Sequence, residues 1–218
     1  MRFFVFASLL LLTVPATAQV GTLLPVDEAA TDPSFVLFRA RLLEAAQARD
    51  TSFVLDALDP TAKLSFGGDE GIEGFRRLWL AESRYEDEDV WTVLTRTVAL
   101  GSLYDPGEGD RLPSATVPYV FGTWPDSLDV FEHGAIVGEH VRVRAAPDTT
   151  AEVLTALTFA LVPTPYEAGV PEGWRAVTLA DGRTGFVAAR YVRSPIGYRM
   201  GFVREDGRWR ITFFIAGD

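Results

Sequence analysis

The residue types able to do chemistry in this chain are few and poorly grouped. His133 and His140 stand seven positions apart in an extended segment. A zinc site needs three or four ligands held at once, and with no cysteine in the chain nothing else clusters near them. Glu86-Asp87-Glu88-Asp89 is a run of carboxylates, the ligand type hard cations prefer. On a forming helix, however, consecutive side chains point in different directions, and such a run suits a helix N-terminus, where the dipole favours it. The loop from Asp105 to Asp110 lacks the Asp-x-Asp-x-Asp-Gly spacing of a calcium loop. Gly67-Gly68-Asp69-Glu70 is followed by no Lys-Ser/Thr pair and reads as a flexible turn before a helix rather than a phosphate cradle. No Gly-x-Ser-x-Gly elbow is present for a serine nucleophile. The expectation is a protein with no catalytic residues, no metal ligands and no cofactor.

The elements that would position a site begin beyond a leader-like start. Arg2, the apolar run Phe3 to Val14 and Ala16-Thr17-Ala18 match a cleavable signal peptide over residues 1–18. The run is shorter than the roughly 20 residues a spanning helix needs, and no later segment is apolar enough to span a membrane. No membrane insertion of the mature chain is therefore expected. No cysteine follows the run, which leaves no lipoprotein anchor. The implied location is periplasmic or secreted. Stability without disulfides rests on core burial, which about 200 mature residues can supply.

Charge separates the chain into halves. Residues 19–130 hold 20 acidic against 9 basic side chains, whereas residues 131–218 hold 10 of each. An acidic half disfavours nucleic acid and anionic membrane as partners, since both require a cationic footprint.

Residues 19–101 read as a helix-rich domain. Asp32-Pro33 opens a helix whose Phe35, Phe38, Leu42 and Ala45 or Ala46 fall on one face. Arg49 ends it, Asp50 or Thr51 caps a second helix through Val54, Leu55 and Leu58, and Asp59-Pro60 stops that one. Thr61 to Phe66 is a strand candidate. Ile72, Phe75, Leu78 and Trp79 mark a third helix, and Val90, Trp91, Leu94 and Val98 a fourth. Residues 102–134 hold no helical period but carry aromatic pairs, so they read as an ordered Pro/Gly-containing connection with a solvated 105–110 tip.

From Ala135 the period becomes 2, with turn signals every 8–12 residues, as in a small barrel. Val141 and Val143 alternate with Arg142 and Arg144. Trp174 to Leu179 and Thr184 to Val187 flank an Asp181-Gly182 turn, and Ala188 to Tyr191 form one 3₁₀ turn. Residues 195–218 make a further hairpin, Tyr198–Arg204 and Arg208–Ile215, around Glu205-Asp206-Gly207. A lone hairpin is marginal in water, so these strands must join an existing sheet. Pairing with Thr61–Phe66 would turn the 135–194 unit into an insertion within an α+β domain.

Residues 136–193 resemble the bacterial SH3 domain family. The resemblance rests on Val141-Arg142-Val143-Arg144-Ala145-Ala146-Pro147, on Gly173-Trp174, and on Gly185-Phe186-Val187 followed by Tyr191-Val192. Ala146 stands where the family commonly has Gly, and the loop from Val162 to Pro171 is longer than usual. The resemblance implies a barrel of five or six strands that binds peptides, often of the cell wall, or docks within its own protein. Catalytic members use a cysteine nucleophile, absent here. A shallow cleft between loops would be lined by Tyr166, Trp174 and Tyr191, with Glu172 at its edge. The remainder is similar to uncharacterised exported proteins carrying such barrels and, more distantly, to the nuclear-transport-factor-2-like cone.

The fold class expected is thus α+β: a helix-rich domain, completed by the C-terminal hairpin, plus a small SH3-like β-barrel. The function expected is non-catalytic binding of a peptide, protein or peptidoglycan ligand. Two alternatives stay open. One is a small-molecule binder or enzyme with a cavity among Phe38, Trp79 and Trp91, and the other is a structural envelope component acting only by docking.

Overall fold

Asp32 starts the first helix, α1 (Pro33–Ala48), by accepting from the backbone N–H of Ser34 at 2.8 Å and of Phe35 at 3.1 Å. It thereby satisfies two of the donors that every helix start leaves open, while Pro33 sits where no N–H is needed. The computed structural model describes residues 21–82 and 88–217. The expected signal segment 1–18, together with Glu86 and Asp87 of the acidic run, lies outside the described residues. Arg49 closes α1 in a left-handed conformation, and Asp50 caps α2 (Thr51–Ala57) through the Phe53 N–H at 3.0 Å.

Strand β1 runs from Leu58–Lys63, not from Thr61 to Phe66. Asp59-Pro60 therefore lies inside a strand rather than merely ending a helix. Proline is tolerated there because β1 forms one margin of its sheet, where a missing donor costs little. Helix α3 (Gly71–Phe75) continues through Arg76–Leu80 in π geometry, closed by the Ala81 N–H on the Arg76 carbonyl at 3.0 Å. Its buried face is Gly71, Gly74, Phe75, Leu78 and Trp79. Ile72, expected on that face, is exposed. The two glycines carry the inward face because the backbone approaches closely: the Pro60 carbonyl fills the space a Gly71 side chain would need. Helix α4 (Val90–Val98) is capped by Asp89 through the Thr92 N–H at 3.1 Å.

The 102–134 stretch contributes structure of its own. β2 (Leu103–Asp105) and β3 (Ser114–Val117) form a hairpin, and α5 (Tyr119–Gly122) is a single turn behind it. Seven short strands follow: β4 (His133–Ile136), β5 (Val141–Arg144), β6 (Val153–Leu157), β7 (Leu161–Pro163), β8 (Trp174–Thr178), β9 (Thr184–Ala188) and β10 (Val192–Arg193). A 3₁₀ turn, Ala189–Tyr191, separates the last two. They build two antiparallel sheets, ordered β10-β4-β7 and β6-β5-β9-β8. Ile136, Val141, Val143, Val162, Val177 and Val187, drawn from both sheets, form one shared core.

The chain ends in β11 (Arg199–Glu205) and β12 (Arg208–Ile215), joined where Asp206 and Gly207 both take positive φ, the turn whose twist suits a two-residue hairpin. This hairpin occupies the middle of a five-stranded sheet ordered β1-β12-β11-β3-β2. β12 runs parallel to β1, with Leu58 opposite Ile211, and β11 runs antiparallel to β3. The returning strands supply aromatic partners for the helices. Phe35 meets Phe202 at 5.3 Å and Trp209 at 4.9 Å, both edge-on, while Trp79 stacks on Phe214 at 5.4 Å. The fold is α+β, and the two halves of its larger sheet are separated in sequence by the whole 133–193 unit.

Packing and backbone hydrogen bonds both join the parts. Tyr119 and Val120 of α5 pack with Leu23, Ala135 and Leu161 in a separate apolar cluster. Residues 21–23 run beside β7, with the Leu23 N–H on the Phe159 carbonyl at 2.8 Å and the Leu161 N–H on the Gly21 carbonyl at 3.0 Å. Among the described residues no helix is long and apolar enough to cross a membrane.

Candidate functional site

Trp174 opens β8 and is placed by its surroundings on three sides. It lies opposite Ala188 in the β8–β9 ladder, its N–H donates to the Pro171 carbonyl at 3.2 Å, and the neighbouring Gly173 carbonyl accepts from Ala189 at 2.7 Å. The backbone at Trp174 is thus fixed between the 164–173 loop and the 3₁₀ turn, and the residue, partly exposed, lines a cleft on each side. On the loop side lies a cleft of about 320 Å³ lined by Tyr166, Glu167, Glu172, Trp174 and Arg175, with Glu88 on its wall. Tyr166 is 96% exposed, so its ring is available rather than packed.

On the other side of Trp174 lies a second cleft, also about 320 Å³. It holds His140, Arg142, Arg144, Arg190 and Tyr191. The Arg190 guanidinium lies 4.7 Å from the centroid of the Tyr191 ring, a cation–π contact that orients both side chains. Strand alternation explains the arginines: Val141 and Val143 turn into the core, so Arg142 and Arg144 must face outward. Arg144 Nη1 donates to the Ala151 carbonyl at 2.7 Å.

Three of the four expected residues, Tyr166, Glu172 and Trp174, thus share one cleft. Tyr191 belongs to the adjoining one, and Trp174 is the wall between them. Neither lining includes a residue of 102–129, whose Tyr119 and Val120 pack instead on Leu23, Ala135 and Leu161. Glu88, Arg142 and Arg190 were not foreseen at this site. The arginines were readable in the Val-Arg-Val-Arg alternation and beside Tyr191, whereas Glu88 comes from the helical half and has no local signal.

The other chemistry-bearing residues are engaged elsewhere. Of the acidic run, Glu88 also pairs with Arg96, whose Nη1 is 3.0 Å from Glu88 Oε1, and Asp89 caps α4. Asp69 accepts from Ser65 Oγ at 2.6 Å and pairs with Arg77, which lowers its carboxyl below the ordinary range, the serine hydroxyl first. His133 Nδ1 sits 3.2 Å from the Asp129 carbonyl, away from the cleft that holds His140. Among the described residues no group of three or more His, Asp or Glu gathers closely enough to hold a metal ion.

Three further recesses lie away from Trp174. One of about 450 Å³ lies where residues 21–22 meet Leu157, Leu161, Leu179 and their neighbours, and no charged side chain lines it. It is roomier than either Trp174 cleft, yet without fixed charges it offers little to select a ligand, so the smaller clefts are the better candidates. A second, about 290 Å³, is a surface recess over Phe38, Phe53 and Trp209 with Asp56, Arg208 and Arg210 around it, and a third, about 430 Å³, is an open groove beside Gly71 and Gly74 lined by Glu70, Glu73 and Arg77, without an aromatic platform. Trp79 is buried in the core of that half, with Trp91 packed against it.

No protein-family model, curated protein or solved structure matches this chain.

Proposed function

We propose that this is an exported, non-catalytic binding protein whose 135–194 unit is an SH3-like module of the bacterial type, and that its ligand is an extended peptide lying against Trp174. The observation that carries this reading is the open pair of clefts on either side of the indole, bordered by Tyr166 and Tyr191. Shallow, aromatic-lined clefts between loops suit a peptide, which presents alternating side chains and a backbone rather than a compact body. Export rests on the leader-like residues 1–18. The peptide can belong to cell-wall cross-links or to an envelope protein, because both present the same chemistry.

The test is retention. Immobilised mature protein is exposed separately to purified cell wall and to envelope extract, beside Trp174→Ala, whose fold is checked by circular dichroism. Retention on either material that the variant loses supports the reading and identifies the source. Absence of retention on both overturns it.

A further inference from the structure

The two clefts that meet at Trp174 carry opposite charge. On the loop side stand Glu88, Glu167 and Glu172 with a single arginine, Arg175. On the other side stand Arg142, Arg144 and Arg190 with a single carboxylate, Glu139. Among the described residues Glu167, Glu172 and Arg142 enter no ion pair. Their charges therefore remain open to a ligand.

One carboxylate of the acidic cleft comes from outside the 135–194 unit. Glu88 is supplied by the half of the chain that holds the acidic excess, 20 acidic against 9 basic residues over 19–130. Glu88 is also paired with Arg96, so Glu167 and Glu172 carry the uncompensated negative charge of that side. The cleft lining is thus composite: the isolated 135–194 unit would keep Trp174 but lose Glu88.

We infer that the ligand is a peptide of fixed charge order, with a cationic side chain or amine in the Glu88–Glu167–Glu172 cleft, backbone across Trp174, and a carboxylate in the Arg142–Arg190 cleft. The inference rests on the peptide-binding reading above and adds the ligand's chemistry to it. An extended chain advances about 3.3 Å per residue, so a few residues between the two charges bridge neighbouring clefts. Exposed charge pairs are individually weak and screened by salt. The preference should accordingly be modest and should fade as ionic strength rises.

The experiment uses the full mature chain and synthetic peptides with both ends blocked, in which Lys and Glu are separated by two, three or four glycines. Matching peptides carry Gln in place of either charge or of both. Binding is followed by fluorescence anisotropy at low and high salt. The expected result is that one spacing of the Lys/Glu peptide binds about fivefold tighter than its doubly neutral form at low salt. Glu167→Gln with Glu172→Gln removes only the contribution of Lys, and Arg142→Gln with Arg190→Gln removes only that of Glu. Equal binding of charged and neutral peptides, still abolished in Trp174→Ala, overturns the charge order and leaves the peptide-binding reading intact. If no peptide binds, the charge order is likewise overturned, and retention on wall or extract then decides the broader reading separately.

Discussion

Arg193, the last residue of β10, donates from Nη2 to the Thr97 hydroxyl of α4 at 2.9 Å and to the Tyr198 carbonyl at 2.5 Å. This contact ties the 135–194 unit to the helical half. It is made at a cost: burial pushes the guanidinium pKa down to about 10, Arg96 pushes it the same way, and Glu88 opposes them. Nε has no partner among the described residues. Arg193→Met should lower the unfolding free energy by about 2 kcal/mol, because the Thr97 hydroxyl and the Tyr198 carbonyl lose a charged donor. Adding Thr97→Val, which removes the stranded hydroxyl, should recover part of that loss. Urea denaturation of both variants measures it, and a gain in stability for Arg193→Met alone would mean that desolvation outweighs the hydrogen bonds.

Acid should weaken the α1 start in a defined window. The Ser34 hydroxyl, then the Tyr104 hydroxyl and the N–H groups of Phe35 and Ser34, hold the Asp32 carboxyl at about 2 against a partial opposing effect of burial. Its ordinary value is 3.8. The folded state therefore binds fewer protons than the unfolded one between these values. The stability this group contributes is complete above 3.8 and is lost as pH falls from there towards 2. Discounted for solvent screening, it amounts to about 1–2 kcal/mol. Asp32→Asn should differ from the parent by a constant amount above about pH 5 and converge on it only as pH falls below about 2, read from thermal melts across pH.

Removal of the C-terminal hairpin should unfold the helical half, not just shorten it. Phe202 and Phe214 are each 1% exposed and belong to the same core as Phe35 and Trp79. A chain ending at residue 194 would leave β1 and β3 without their shared partners, since β12 and β11 stand between them. The expected outcome is loss of the cooperative transition of that half, with dye-accessible apolar surface and reduced helical dichroism.

Two glycines with similar backbone conformation should respond differently to alanine. Gly101 has φ +63 and the Val26 carbonyl fills the space a side chain would need, whereas Gly109 has φ +62 and open space around it. Gly109→Ala carries only the conformational strain, about 1 kcal/mol. Gly101→Ala must also displace the residue 26–28 segment, which is bonded to Ser102 in both directions, and should cost about 3 kcal/mol or more. Thermal unfolding of the pair separates strain from collision.

Much of the local structure was legible because its causes are local. Asp32, Asp50 and Asp89 cap helices through atoms two or three residues away. Asp206-Gly207 turns a hairpin because both residues accept positive φ. The alternation at 141–144 predicts which side of β5 is wet. Where the reading slipped, the reason was a contact with distant chain. Ile72 fits a helical period with Phe75 and Trp79, but Gly71 and Gly74 form the inward face because α3 is drawn against β1. Pro60 signals a helix stop, yet it also fits a strand that borders its sheet.

The sequence by itself determined the α+β class, the capped helices, the hairpins at Asp181-Gly182 and Asp206-Gly207 and the aromatic residues of the candidate site, since each depends on periodicity or on the conformational limits of one or two residues. Only the tertiary structure decided that β12 runs parallel to β1, that β2 and β3 complete the same sheet, and that Tyr191 stands in a different cleft from Tyr166 and Glu172. It alone brought Glu88 into the lining of the cleft that Trp174 borders. These are meetings of segments far apart in the chain, set by which apolar faces bury one another, and no single segment encodes its partner.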